Sequence, residues 1–362
     1  MIAGEAGSVK EASTVSAQTV PDGSFLDVEE TEKESGSRLL ALDRARGFGI
    51  ALVVWGHLAG SATPGMPLWF LISISVIYGF HMPLFMYLSG FVFYLTSSQT
   101  RFWKAPLAQA GKRFDRLMVP CLVFGAITII GKYVFQSIGP VDDHVDNLLA
   151  GFLKVVTNAP GNPVISIWYL IVLFVYSIIA PFLGRNGNLP FLIMIGLSLL
   201  AWFTEPTSLF YIERIGQYLI FFAIGGLFAV HKDRVIPILK KWYLLFLALF
   251  IAVSYFMLGN EFAILVCGLA SLPAIHGLFA QKFWKNDRLF LFLGRNSMAI
   301  YLINTIAIGL AKIGYLRVLP YQGDWFLLYL AITFSAGLFV PIIVRYVLGL
   351  DRRFQPIKRY ID

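Results

Sequence analysis

Apolar stretches of about twenty residues recur along this chain, and that is the length a helix needs to cross the hydrocarbon core of a bilayer. They lie near 42–61, 72–96, 117–138, 164–183, 189–204, 213–231, 242–259, 262–280, 289–310 and 325–349. In lipid every backbone group must be satisfied within the chain, so such runs form helices. The pattern predicts an all-α membrane protein with about ten transmembrane helices in one bundle. The fifth stretch is short and the sixth contains Glu213 and Arg214, which makes these two the weakest. Only 14% of the 362 residues are charged, against about 25% in soluble domains, so a large soluble core is excluded.

The loops support an even number of spans. Alternate segments hold Arg101, Lys104, Lys112, Arg113, Arg116, Arg185, Lys232, Arg234, Lys240, Lys241, Lys282, Lys285 and Arg288. The C-terminal tail adds Arg352, Arg353, Lys358 and Arg359, while the opposite loops hold only Lys154, Arg214, Lys312 and Arg317. Basic residues accumulate on the cytoplasmic side, so both termini are expected there. The net charge of +8 thus reports topology rather than nucleic-acid binding.

Residues 1–38 are rich in Ser, Glu and Thr and read as a disordered acidic cytoplasmic tail, because such a segment buries too little apolar area to offset its ordering entropy. They lack the basic start and apolar run of a signal peptide. Residues 39–350 form the transmembrane domain, and 351–362 a basic cytoplasmic tail. Two cysteines, Cys121 and Cys267, sit inside apolar stretches, which argues against a disulfide framework or a cysteine zinc site. The longest outer loop, about 139–163, carries Asp142, Asp143, His144 and Asp146 among Pro and Gly. It reads as an irregular solvated loop, and no metal is assigned to it.

The first span reads LLALDRARGFGIALVVWGHLAG. Arg46 and His57 are eleven residues apart, which puts them within roughly 20° of one helix face and about 16 Å apart along the axis. Asp43 lies near the same face, one turn closer to the cytoplasm, and Gly47, Gly49 and Gly56 allow close approach of a neighbour. His57 therefore lies near mid-membrane, where an ionisable residue is a functional candidate. A neutral buried imidazole can take a proton from a hydroxyl, or it can simply bond between helices. Arg46 with Asp43 reads either as a snorkelling ion pair or as an anion site at a cavity mouth.

In the second span, GFHMPLFMYLSGF, Pro83 should kink the helix near His81, a second intramembrane imidazole that is a support, a substrate contact or structural. Ser89 and Gly90 look like close-packing positions. Arg113 and Arg116 in RFDRLMVP open the third span on the cytoplasmic side, as phosphate ligands or as topology markers. Arg295, near the start of the ninth span, is another candidate for the same anion. The chain has no GxxxxGK[ST] loop, GxSxG elbow or HExxH helix, so ATP hydrolysis, serine-hydrolase and zincin mechanisms lose support.

Taken in order, LDRARG, VVWGH, FHMPLFMYLSGF, RFDRLMVP, IWYLIVLF, FFAIGGLFA and LGRNSMAIYL resemble the acyltransferase 3 family over about residues 40–310. The resemblance implies a bundle of about ten helices that moves acetyl, or another short acyl group, from acyl-CoA to a sugar or lipid-linked glycan. It implies His57 as catalytic base, an essential Arg46, and Asp43 in the same motif. Acyl-CoA is then a co-substrate and no bound cofactor is expected. The implied partners are the glycan or lipid-linked oligosaccharide acceptor, the bilayer and polysaccharide assembly machinery. Ala45 stands where the family usually has leucine. Asn304 stands where its pattern often has histidine, and is read as a changed polar contact. A glycan-precursor transporter and a non-catalytic family member are the competing readings.

Overall fold

The computed structural model describes residues 24–60, 65–139, 141–158, 162–183, 187–319 and 325–361, with side chains from residue 40 onward, Ile165 excepted. Residues 1–23 of the expected disordered tail, and the topology marker Arg185, lie outside the described residues. Among the described residues every regular element is helical and there is no strand. The helices are α1 (Ser24–His57), α2 (Leu68–Leu95), α3 (Ser98–Lys104), α4 (Pro106–Arg113), α5 (Val119–Phe135), α6 (Leu148–Thr157), α7 (Trp168–Ile179) and α8 (Leu189–Thr204). There follow α9 (Ile212–Gln217), α10 (Leu219–Val230), α11 (Lys232–Lys241), α12 (Tyr243–Phe256), α13 (Ala263–Phe279), α14 (Leu289–Arg295), α15 (Ser297–Val318), α16 (Phe326–Leu350) and α17 (Gln355–Lys358). A π-helical turn, Phe114–Met118, joins α4 to α5.

Every stretch read as a span falls on helix. Among the described residues four helical segments are long and apolar enough to cross a membrane: Leu68–Leu95, Pro106–Phe135, Ser297–Val318 and Phe326–Leu350. Two bent pairs, α9 with α10 at 44° and α11 with α12 at 75°, raise the number to six if each pair is one span. Glu213 and Arg214 lie in the short arm of the first pair, and Arg214 covers the Trp168 ring at 4.7 Å. α7, α8 and α13 are apolar but shorter than a full crossing. Apolar side chains such as Leu192, Leu244, Leu249, Ile251, Leu327 and Ile343 face outward. So much outward apolar surface suits lipid rather than water.

One expectation changes. The loop at 139–163 is not wholly irregular, because α6 runs through it. Asn147 caps α6 by accepting from the Ala150 N–H at 3.0 Å, and Asn158 ends it in a left-handed conformation. The local apolar run LLAGFLKVVT forms helix even with Gly151 inside it.

α2 is the central element and packs most extensively on α10 and α13. It runs through Pro83 as one helix. Its closest neighbour is α10, at two facing glycines. A Cβ on Gly90 would strike the Phe222 carbonyl, and one on Gly225 would strike the Tyr87 carbonyl. Without a hydrophobic drive between helices in lipid, such backbone approach maximises van der Waals contact. A buried Tyr87–His276 hydrogen bond of 2.5 Å ties α2 to α13.

The C-terminal tail is docked. Ile361 is 1% exposed, Arg359 pairs with Asp115 in the π-helical turn, and the Tyr360 hydroxyl donates to the same carboxylate at 3.1 Å. Gly225→Leu should destabilise the bundle by about 3 kcal/mol or more, since the obstacle is backbone and cannot repack. The check is thermal melting in detergent, where a melting temperature equal to wild type would contradict the packing.

Candidate active site

α1 carries His57 in its last turn, and α15 carries Asn304 in its middle. Their side chains meet, with His57 Nδ1 2.6 Å from Asn304 Oδ1. The amide orientation follows from its other contacts. Asn304 Nδ2 lies 2.7 Å from the Ile300 carbonyl and 2.9 Å from the Tyr301 carbonyl, so it is the donating NH₂ group. Oδ1 therefore accepts, and the His57 proton sits on Nδ1. This leaves Nε2 with its lone pair as the basic nitrogen of the ring. Asn304 is fully buried, so its geometry is fixed by helix packing rather than by solvent.

His57 lines a cavity of about 340 Å³. The walls come from the C-terminal ends of α1, α5 and α15, from Val141, Asp142 and Asp143, and from Pro163, Val164 and Ser166. Tyr78 also lines it and donates to the Gly56 carbonyl at 2.9 Å, one residue before His57. The Tyr78 ring lies 5.3 Å from the His81 ring. His81 is buried and donates through Nδ1 to the Ile77 carbonyl at 2.7 Å, so it supports this layer of α2.

Arg46 sits at the other end of the same helix. Its guanidinium bonds Asp43 Oδ1 at 3.0 Å, and both side chains are about one-third exposed, at 31% and 32%. α1 and α14 touch backbone to backbone at this level. A Cβ on Gly47 would strike the Phe290 carbonyl, and one on Gly294 the Asp43 carbonyl. Exposed Arg295 is therefore next in chain to a residue in contact with Asp43. Half-buried Arg113 stacks over Phe93 at 5.4 Å, and its nearest like charges are Arg116 and Arg101. Arg46, Arg113, Arg116 and Arg295 do not line the His57 cavity.

Aromatic side chains connect the two levels. Tyr169 shares a 2.6 Å hydrogen bond with Ser89. Its ring packs 5.8 Å from Phe85 and 5.6 Å from Tyr301. Tyr301 in turn donates to the carbonyl of Ser166, a wall residue of the cavity.

A family model described as an acyltransferase domain matches residues 39–346. The chain belongs to the acyltransferase 3 family. It is a membrane acyltransferase. No curated protein matches it in the same kind of comparison, and neither does a solved structure.

Within this family the matched region takes in every site residue proposed from the sequence. The structure joins His57 to Asn304 and Arg46 to Asp43, places His81 beside the Tyr78 wall, and leaves Arg113 and Arg116 as a separate cationic group at the π-helical turn. Sequence reasoning missed Lys132 and Lys312. Lys312 was placed in an outer loop, because hydropathy falls off after residue 310. It is instead inside α15, 3% exposed, with Nζ 3.0 and 3.2 Å from the two Asp142 oxygens. Lys132 stood inside the third apolar stretch, where a lysine is itself a signal. Arg44 was also passed over. It is buried and pairs with Asp287 at 3.7 Å, and Asp287 caps α14 by accepting from the Phe290 and Leu291 N–H groups at 3.2 Å.

Asn304→Leu should remove the group that holds the His57 proton on Nδ1. A hydrogen bond of this kind contributes about 1–3 kcal/mol, so acyl transfer should fall roughly tenfold to a hundredfold. Initial-rate measurements on purified variant and wild type check this, with an unchanged rate counting against the pair.

Proposed function

We propose that this membrane acyltransferase carries acetyl, or another short acyl group, from acyl-CoA to a hydroxyl of a surface or exopolysaccharide sugar or its lipid-linked precursor. One observation supports this above the rest. The Asn304 bond leaves Nε2 basic on a ring that lines a cavity holding Lys132, Asp142, Asp143 and Lys312. That is what a general base for a sugar hydroxyl needs.

In this reading the acceptor O–H gives its proton to His57 Nε2 as its oxygen attacks the thioester carbonyl. The tetrahedral intermediate collapses, the carbon–sulfur bond breaks, and the CoA thiolate takes the proton back from Nε2. The products are an ester and free CoA, and His57 returns to its starting state. The thioester is already activated, so the reaction needs no metal. Arg46, ordered by Asp43, is placed to meet the donor's phosphates from the basic side, with Arg113, Arg116 and Arg295 adding cationic surface there. The acyl chain then reaches His57 past Phe85, Tyr169 and Tyr301.

The membrane setting belongs to the same proposal. Ten crossings with both termini in the cytoplasm put the arginines on the CoA side and the cavity on the outer side of a bacterial inner membrane. Polysaccharide assembly machinery would supply and remove the glycan. Cys121 and Cys267 are buried, so a single introduced thiol can report orientation. His144→Cys should react with a membrane-impermeant maleimide in intact cells whose outer membrane is permeabilised, and labelling only after lysis would reverse the topology.

His57→Ala should lower transfer of labelled acetyl from acetyl-CoA by at least roughly a hundredfold, the usual scale of general-base catalysis, while the protein remains inserted. Mass spectrometry of surface glycans should show the acyl group lost. Acylation at the wild-type level in that variant would defeat the assignment.

A further inference from the structure

The cavity beside His57 carries four charges arranged as two ion pairs. Lys312 binds both oxygens of Asp142, and Lys132 lies 3.4 Å from Asp143 Oδ2 and donates to the Pro163 carbonyl at 2.7 Å. All four line the same cavity, and the charges of Asp142, Asp143 and Lys312 all act on Lys132. The Asp142 carboxylate also rests on Gly60, three residues beyond His57, where any Cβ would collide with it. The charges are therefore built into the wall next to the imidazole.

Two lysines and two aspartates sum to zero, and each ammonium is matched by a carboxylate. An anionic ligand entering here meets as much repulsion as attraction and loses its hydration in addition. The rest of the wall is largely apolar, with Ile127, Phe135, Ile306, Ile308 and Leu310 among its residues, and suits the C–H faces of a sugar ring, while the four charges meet its hydroxyls. A neutral ligand rich in hydroxyls fits better, because each hydroxyl both donates and accepts and can bond to either member of a pair. Such charge-assisted bonds are about twice as strong as neutral ones. At about 340 Å³ the cavity is near the lower end of small-molecule sites, roughly 300–1,000 Å³.

We propose that this cavity is the acceptor subsite, that it takes a neutral sugar ring, and that Lys132, Asp142, Asp143 and Lys312 determine specificity by rejecting acidic sugars. The proposal rests on the acyl-acceptor reading of the His57 cavity, but its test is binding rather than transfer.

The full-length protein in detergent is titrated by calorimetry with methyl glycosides of glucose, galactose, mannose and rhamnose, and with glucuronate and galacturonate. At least one neutral glycoside should bind tenfold or more tighter than either uronate. Asp142→Asn removes one negative charge with little change of shape. It should lower the ratio of neutral to uronate affinity at least tenfold. If that variant melts early, Asp143→Asn makes the same change of net charge at a side chain that is 58% exposed. Uronates binding wild type as tightly as the neutral glycosides, no glycoside binding at all, or an unshifted ratio in the folded variants would each overturn the subsite. His57→Ala should keep the neutral-sugar preference. If it also keeps acyl transfer, the catalytic assignment fails while the subsite stands.

Discussion

An imidazole and a carboxamide, 247 positions apart in the chain, meet where α1 and α15 come together. An unsatisfied polar group in hydrocarbon costs several kcal/mol, so each makes the other tolerable at that depth. The bond also sets the rotation of α1 against α15, and Asn304 itself is locked by two carbonyls one turn back on its own helix. In the proposed reaction, structure and chemistry would depend on the same contact. What satisfies the ring on one nitrogen is also what leaves the other nitrogen basic.

The two ends of α1 are chemically unlike. One end presents arginine with a partly exposed carboxylate, and the nearby turns add further guanidinium groups. The other end opens on lysine–aspartate pairs that cancel. Between them stand Phe85, Tyr169 and Tyr301, which are large and mostly apolar. The proposed reaction would take its donor and acceptor from opposite sides without opening a continuous water path. A helix of about 16 Å between Arg46 and His57, flanked by aromatic rings, suits that requirement.

Much of this was readable before any coordinates. The apolar runs gave the helices because lipid leaves the backbone little other choice. The Arg46–His57 spacing translates directly into one helix face, and the small residues at Gly47 and Gly90 marked true backbone contacts. What stayed hidden depends on contacts distant in sequence. Asn304 stood out only as a departure from the family pattern, and nothing local said that it faces His57. Lys312 looked like a loop residue because a lysine ends a hydropathy run, whether the helix stops there or carries on with its charge paired inside. Helix α6 was hidden by the Pro and Gly on either side of it. The cavity joins ends of α1, α5 and α15, and no single stretch of sequence describes such a meeting.

The docked C-terminus has a practical side. Ile361 is fully enclosed, and its neighbours Arg359 and Tyr360 grip the turn that carries Arg116. A reporter or purification handle fused directly after this segment starts at a buried anchor, within reach of the cationic surface. Its bulk would pull on that turn each time the handle was held by a resin or a surface. The choice of attachment point therefore bears on whether that turn keeps its native contacts.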